Sequence, residues 1–266
     1  MSTPDLSGPD LTGKVAIVTG ASRGIGAAIA SRFAAAGAAV AVTARTTEVT
    51  DPRLPGTIHE TADAITAAGG KAIAVPANLA EASDRERLVA TVREQLGPVD
   101  VLVNNAAVTY FLPIADFPAK RFDLMMEVQV WAPLHLSQLV LPDMKARKSG
   151  WILNISSRAA IHPTMPPEQW HSGGGGVVYG MCKAALERLS TGLAAAVYAD
   201  GIAVNALSPN LVVPTPGTVL HNLVRDDRES EDPQVMAEAA LRLCTGDPST
   251  LTGRVTYSQD LLDELG

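Results

Sequence analysis

The fold of this chain is decided by one short stretch, KVAIVTGASRGIG, at residues 14–26. The apolar run Val15–Thr19 is typical of a buried strand, and the Ala-rich pattern after the glycines is typical of a helix. A strand that passes through closely spaced glycines into a helix is the context of a dinucleotide-binding loop, because the glycines let backbone N–H groups approach a pyrophosphate. A tight turn without a ligand is the alternative. The predicted cofactor-binding residues of the loop are Gly20, Ser22, Arg23, Gly24, Ile25 and Gly26.

Outward from this stretch, short β-branched runs alternate with longer Ala- and Leu-rich segments of helical period. The predicted strands are 15–18, 39–43, 72–75, 101–103, 151–155 and 203–206. This alternation predicts βαβ units, and runs that are apolar on both faces predict helices on both sides of a parallel sheet. The expected fold class is α/β, a single-domain (residues 1–266), doubly wound, Rossmann-like parallel sheet with helices on both faces.

Three segments depart from this regular alternation. Residues 120–145 have the period of one long helix, in which Pro133 is expected to cause a kink or mark a boundary. Residues of about 158–178 and 210–233 are rich in proline, glycine or charge, which predicts two irregular loops. We expect these loops to line the substrate site.

Composition excludes several classes of function. The 266 residues carry a formal net charge of −7 and contain no block of five or six like charges, which argues against nucleic acid as a partner. Cys182 and Cys244 lie too far apart in the sequence for a CxxC pair, and no metal site is predicted. No apolar run reaches the roughly 18 residues that a membrane span needs, and the first residues lack the features of a secretory signal. We expect a cytoplasmic protein.

Five motifs occur together in this chain. The glycine pattern Thr-Gly-x3-Gly-x-Gly begins at Thr19 and differs from the common GxGxxG spacing. It is followed by Asn104–Ala107, Asn154–Ser157, the YxxxK pattern Tyr179–Lys183, and Asn205–Pro209. In type and order these motifs resemble the short-chain dehydrogenase/reductase family, and the chain is identified as a member on that basis.

The resemblance implies a catalytic set of Ser157, Tyr179 and Lys183. Tyr179 would pass a proton to or from the substrate oxygen, which Ser157 would hold by a hydrogen bond, while hydride moves to or from the nicotinamide. Lys183 would hold the nicotinamide ribose and lower the pKa of Tyr179, and the i,i+4 spacing places both side chains on one helix face. Ser156 is the alternative serine.

Cofactor choice depends on the end of the second strand. An acidic residue there would bind the adenosine ribose of NAD and repel a 2′-phosphate, but this chain has Ala44 followed by Arg45, with Arg23 in the glycine loop. Two guanidiniums without an opposing carboxylate predict NADP(H) over NAD(H); a solvated Arg45 is the alternative. The resemblance adds cofactor contacts at Asn78, Asn105, Ala106, Ala107, Tyr179, Lys183, Pro209 and Val212.

Two departures from the family pattern bear on function. Gln129 stands where the family has a catalytic Asn, so the proton relay through that residue is in doubt. Ser157 and Tyr179 are separated by 22 positions, where the family has about a dozen, and the extra residues include Trp170, His171 and a run of four glycines. The insertion is either a substrate lid with a glycine hinge, or a surface insertion or subunit contact.

The sequence therefore predicts an NADP(H)-dependent oxidoreductase that acts on the carbonyl or secondary alcohol of a small, largely apolar molecule. A non-catalytic NADP(H)-binding sensor is the alternative that Gln129 leaves open. A reductase of C=C or imine bonds is a third candidate. The resemblance also implies a homo-oligomer, either a dimer or a tetramer.

Overall fold

The computed structural model describes residues 9–167, 175–224 and 229–266. Its strands form one parallel sheet. In chain order they are β1 (Val15–Thr19), β2 (Ala39–Ala44), β3 (Lys71–Pro76), β4 (Val101–Asn104), β5 (Gly150–Ile155), β6 (Ile202–Ser208) and β7 (Val255–Tyr257). The six predicted runs lie in β1 to β6, and the predicted doubly wound parallel sheet is confirmed.

The strand order is β3-β2-β1-β4-β5-β6-β7. From β1 the chain winds outward to β3 on one side, and from β4 it winds outward to β7 on the other. The direction therefore reverses between β1 and β4, and ligands of such sheets bind in the crevice at the carboxyl ends of these strands. The glycine loop follows β1, so the topology places it at this crevice.

Helices cover both faces of the sheet. They are α1 (Gly24–Ala35), α2 (Ile58–Ala67), α3 (Ala82–Gln95), α4 (Ala119–Met126), α5 (Ala132–Arg147), α6 (Val177–Val197), α7 (Pro216–Leu220), α8 (Pro233–Thr245) and α9 (Ser258–Leu265). Helices α1, α2, α8 and α9 pack on one face, and α3, α5 and α6 pack on the other. Alternate strand residues serve the two cores: Ala16 and Val18 lie in the first, and Ile17 lies in the second.

The predicted long helix 120–145 is wrong in one respect, because a π-helical turn at Glu127–Trp131 separates α4 from α5. In that turn the N–H of Ala132 donates to the carbonyl of Glu127, five residues back. Pro133 has no N–H to return to the carbonyl of Gln129, which favours a wider turn just before it. The irregularity expected at Pro133 therefore lies in the turn that precedes this proline, and that turn contains Gln129.

Both predicted loops contain regular structure. In the first, Arg158–Ala160 forms a 3-10 turn and α6 already begins at Val177, while residues 168–174, including Trp170 and His171, lie outside the described residues. In the second, α7 occupies Pro216–Leu220, and α8 begins at Pro233. In the part of the chain that the structure describes, no helix has the length and apolar character needed to cross a membrane.

Candidate active site

The glycine loop lies at the crevice with no room for side chains at its glycines. Gly20 and Gly24 have φ angles of +64° and +57°, which L side chains rarely adopt. A Cβ at Gly26 would lie 2.4 Å from Asn105 Nδ2 and 2.4 Å from the carbonyl oxygen of Gly20. The loop therefore depends on glycine for its backbone angles and for its close approach to β4.

Residues after β4 hold the other side of this loop. The Asn105 side-chain amide donates to the carbonyls of Thr19 and Gly20, at 2.8 and 3.1 Å. The backbone N–H groups of Asn105 and Ala106 both donate to the Thr19 hydroxyl. Asn105 thus holds the glycine loop against the end of β4. Ala107 is exposed at the same edge.

The two predicted phosphate-binding arginines are placed differently. Arg23 Nη2 donates to the carbonyl of Gly56 at 2.9 Å, and its buried Nε has no hydrogen-bond partner among the residues that the structure describes. Burial lowers the pKa of Arg23, and the charge of Glu60 raises it. A carboxylate therefore does act on Arg23, contrary to the sequence expectation, although it comes from α2 and not from the end of β2. Arg45 is exposed.

The other predicted cofactor residues lie around the same edge. Ser22 is buried and Ile25 packs against the core. Asn78 Oδ1 accepts from the N–H of Ala80 at 3.3 Å, so one of its lone pairs already serves a local turn. Pro209 follows β6 and is partly buried.

A dinucleotide fits the residues that are present. The glycine cradle leaves backbone N–H groups accessible at the N-terminus of α1, where an anion is favoured. The orphaned Nε of Arg23 offers a buried donor beside that cradle. Thr215, the N-cap of α7, closes the other side, because its Cγ2 lies 2.9 Å from where a Cβ of Gly24 would be.

The predicted catalytic residues converge where β5 meets α6. Ser157 lies two residues after the end of β5, and Tyr179 and Lys183 lie one turn apart on α6. Lys183 Nζ donates to the carbonyl of Ile155 at 2.8 Å and lies 5.6 Å from the Tyr179 ring centroid. Gly180 lets α6 pack closely on the turn after β5, because a Cβ at this position would lie 2.5 Å from the carbonyl oxygen of Ala159.

The electrostatics of this site differ from the sequence expectation. Burial raises the pKa of Tyr179, and a hydrogen bond with the Ser157 side chain only partly opposes the shift. Burial also lowers the pKa of Lys183 to about 8. The net shift of Tyr179 is therefore upward, because the cost of burying a phenolate dominates, and the lowering of its pKa by Lys183 together with an oxidised nicotinamide stays a prediction.

The structure separates the two candidate serines. Ser156 is 4% exposed and its hydroxyl donates to Glu187 Oε1 at 2.7 Å, away from Tyr179. Ser157 Oγ accepts from the N–H of Ala159 at 3.2 Å and interacts with Tyr179. This geometry favours Ser157. Sequence reasoning missed Glu187, although its i,i+8 spacing from Tyr179 was a signal that could have identified it.

Gln129 is held in the π-helical turn with 1% of its surface exposed. Its Nε2 donates to the carbonyl of Val108 at 2.9 Å, and its buried Oε1 has no hydrogen-bond partner in residues 9–167, 175–224 and 229–266. The longer side chain is therefore accommodated and leaves one acceptor free for a proton carrier. The turn is anchored by the ion pair between Arg85 and Glu127, at 2.6 Å.

An aromatic wall stands beside Tyr179. The ring of Phe111 meets the ring of Tyr179 edge to face, with centroids 5.8 Å apart, and meets the ring of His221 at 5.4 Å. Gly175 lies against this wall, because a Cβ there would be 2.8 Å from the carbonyl carbon of Phe111. The predicted contact residue Val212 is exposed and bridges to Ser230, whereas Val213 beside it lies in the core. Phe111 and His221 carried no sequence motif.

Comparisons with known proteins agree with this architecture. The family model described as short chain dehydrogenase matches residues 14–223. A short chain dehydrogenase of Pseudocercospora fijiensis is 34% identical, over 97% of this chain and 84% of its own length. Hydroxysteroid dehydrogenase-like protein 2 of Xenopus tropicalis is 32% identical over 96% of this chain, which spans only 60% of that relative.

Solved structures give the same result. A metagenomic short-chain oxidoreductase in complex with NADP superimposes with a TM-score of 0.75 at 29% identity, covering 93% of this chain and 98% of the other. The strand order, the glycine loop and the meeting of β5 with α6 thus coincide with a match to the family model over most of the chain. The chain belongs to the short-chain dehydrogenase/reductase family of NAD(P)-dependent oxidoreductases.

Proposed function

We propose that this protein transfers hydride between NADP(H) and the carbonyl carbon of a small, largely apolar molecule, or the corresponding secondary alcohol. The observation that carries the proposal is the convergence of Ser157, Tyr179 and Lys183 at the carboxyl end of β5, beside the glycine loop. Ligands of this class of sheet bind at that edge.

The three side chains divide the work. Ser157 donates a hydrogen bond to the substrate oxygen and holds it within reach of the Tyr179 hydroxyl. Tyr179 carries a raised pKa and is protonated at neutral pH, so it serves as the general acid in the direction of reduction. The nicotinamide, when bound, supplies or accepts the hydride. Lys183 donates to the nicotinamide ribose hydroxyls with the N–H groups that Ile155 does not occupy.

Gln129 completes the proton path in this proposal. Its free Oε1 accepts a hydrogen bond from a water that links the buried interior to Lys183. The amide is one methylene longer than the family's asparagine, but the π-helical turn gives the extra length a defined place against Val108.

NADP(H) is favoured over NAD(H) by charge. Ala44 ends β2 without a carboxylate, and Arg45 follows it with its side chain exposed. Arg23 lies across the loop, held by Gly56. Both guanidiniums can meet a 2′-phosphate, and charge-assisted hydrogen bonds of this kind are the stronger ones. The Glu60 charge weakens the preference without removing it.

An apolar substrate is favoured by the walls around Tyr179. Phe111 contacts its ring directly. Met125, Val178 and Cys182 form a small buried cluster against which Tyr179 packs, so the surroundings of its ring are apolar. A substrate carbonyl between Ser157 and Tyr179 would extend its remaining carbons along the partly exposed ring of Phe111, where burial of apolar area contributes about 25 cal/mol per Å².

The test is cofactor oxidation with NADPH and with NADH over a panel of ketones, quinones and acyl thioester ketones. Turnover with NADPH that falls by at least about 10²-fold in Tyr179→Phe is expected. Tyr198→Phe is the matched control, because Tyr198 is 55% exposed and its hydroxyl donates only to Ser249. NADPH binding without turnover on any compound would instead favour the sensor. Turnover confined to activated C=C or imine compounds would favour the third candidate.

The proposal extends to assembly and location. We propose a homo-oligomer, a dimer or tetramer, in the cytoplasm. Mass measured in solution by light scattering tests the assembly, and a monomer at micromolar concentration would contradict it.

A further inference from the structure

One face of α6 contacts the end of β5 along four consecutive residues. Tyr179 interacts with Ser157, and Lys183 Nζ donates to the carbonyl of Ile155 at 2.8 Å. The Ser156 hydroxyl donates to Glu187 Oε1 at 2.7 Å. One turn further, the Asn154 side-chain amide donates to Ser190 Oγ at 2.8 Å. Every residue from 154 to 157 thus contacts a side chain of α6.

Within this set Glu187 is the acidic member. It lies four residues after Lys183, on the same helix face, and accepts from the residue that directly precedes Ser157. Its carboxylate is half-buried, and Ser156 is almost completely buried. A carboxylate is a costly choice for holding a serine hydroxyl, because a neutral amide could accept the same hydrogen bond without burying charge.

The negative charge of Glu187 acts on the neighbouring Lys183. Lys183 is 2% exposed, and burial disfavours an ammonium group. Glu187 and Cys182 are the acidic groups that act on Lys183. Burial raises the pKa of the Cys182 thiol, so this group is neutral at physiological pH. Among the described residues, Glu187 is therefore the acidic group beside Lys183 that ionises more readily than Cys182, although burial raises the pKa of its carboxyl above the usual range.

We propose that Glu187 is a positioning residue of this site, which fixes the turn that carries Ser157 and keeps the buried Lys183 protonated. The catalytic pattern of the chain then reads Tyr-x3-Lys-x3-Glu along α6, with each side chain matched to one residue at the end of β5. The inference rests on the proposed function in that Lys183 must be an ammonium to hold the nicotinamide ribose.

The groups around the pair are few enough for an interpretable titration. Lys183 faces Tyr179, Cys182 and Glu187. Burial raises the pKa of Glu187, and the hydrogen bond from Ser156, the charge of Lys183 and His162 from the loop after β5 only partly oppose that shift. Tyr257 in β7 lies close enough for Glu187 to raise its pKa.

The experiment measures Lys183 directly by NMR of lysine-labelled protein, over a range from about pH 6 to about pH 10. The Lys183 resonance is assigned by its loss in Lys183→Met. In Glu187→Gln, which keeps an acceptor for Ser156, the midpoint is expected to fall by roughly one pH unit. Glu94→Gln is the matched control, since Glu94 is exposed on α3 and its neutralisation must leave the midpoint unchanged.

The same shift must appear in the pH dependence of NADPH affinity, where the loss of binding at alkaline pH moves to lower pH in Glu187→Gln. An unchanged Lys183 midpoint in folded Glu187→Gln overturns the proposal. If this variant does not fold, Lys183→Met tests the coupling from the other side, because the Glu187 carboxyl must then titrate roughly one unit higher than in the unmodified protein. The NMR midpoints require neither substrate nor cofactor, so they remain decisive even if no carbonyl compound is reduced.

Discussion

The glycine loop and the catalytic end of β5 depend on different features of the chain. The glycine loop after β1 works through missing side chains: Gly20 and Gly24 adopt left-handed backbone angles, and Gly26 has no room for a Cβ. The end of β5 works through side chains that α6 brings to it from about 30 positions away in sequence. The loop is therefore sensitive to added volume, and the catalytic end is sensitive to lost hydrogen bonds and charge.

The largest expected effect on activity distinguishes the two serines that follow β5. Ser157→Ala is expected to lower kcat by about 10²- to 10³-fold, because it removes a donor aimed at the reacting oxygen. Ser156→Ala should lower kcat by less than about tenfold, because it removes one hydrogen bond to Glu187, of about 1 kcal/mol. Steady-state kinetics on the best carbonyl substrate measures both. Equal losses would show that the serine assignment is wrong.

The next effect concerns the loop. Gly26→Ala places a methyl group 2.4 Å from Asn105 Nδ2 and from the Gly20 carbonyl oxygen. We expect the free energy of unfolding to fall by about 1–3 kcal/mol, as for other overpacked sites. The NADPH dissociation constant should rise by at least about tenfold, because the loop must move to accept the methyl group.

The control for Gly26→Ala is Gly176→Ala. Gly176 has a φ of −83°, and a Cβ there would meet nothing within 4 Å. Denaturant unfolding and NADPH titration should show changes within about 0.5 kcal/mol for this variant. A folded, tightly binding Gly26→Ala protein would remove the steric explanation of the loop.

A smaller effect is expected where the loop uses charge. Arg45→Ala should weaken NADPH binding by about tenfold and leave NADH binding nearly unchanged, because one charge-assisted hydrogen bond to the 2′-phosphate is lost. Arg53→Ala is the control, since Arg53 is an exposed arginine of the same segment that pairs with Asp51. Equal weakening of NADPH and NADH binding would show that Arg45 acts through its charge in general and does not contact the 2′-phosphate.

The smallest effect is on pH dependence. Lys183 has a pKa lowered from 10.5 to about 8, so its ammonium is present below pH 8 and lost above it. NADPH affinity should therefore decline above about pH 8 by a few-fold.

For the stability of the fold, the effect of the same group has the opposite sign. Burying the ammonium destabilises the fold fully below pH 8, and this cost is relieved as pH rises toward 10.5. Lys183→Met should thus raise Tm at neutral pH while weakening NADPH binding, which calorimetry and titration would check.

Much of the fold could be predicted because its signals are local. The β-branched runs, the helical periods between them and the glycine spacing each lie within a few neighbouring residues, and their alternation indicates βαβ units in a parallel sheet. The resemblance to a known family placed Ser157, Tyr179 and Lys183 in a common site. The doubly wound parallel sheet and the glycine loop after its first strand were predicted in this way, and the order of the strands came from the structure.

Tertiary structure alone decided what these elements do to one another. The wide turn at Gln129 depends on how α4 and α5 pack as well as on Pro133. The contact of Phe111 with His221 joins segments 110 residues apart, and the pairing of Glu187 with Ser156 spans 31. The raised pKa of Tyr179 depends on burial. Such contacts carry no local pattern, because the free energy of a buried charge or hydrogen bond is set by whichever groups the fold brings beside it.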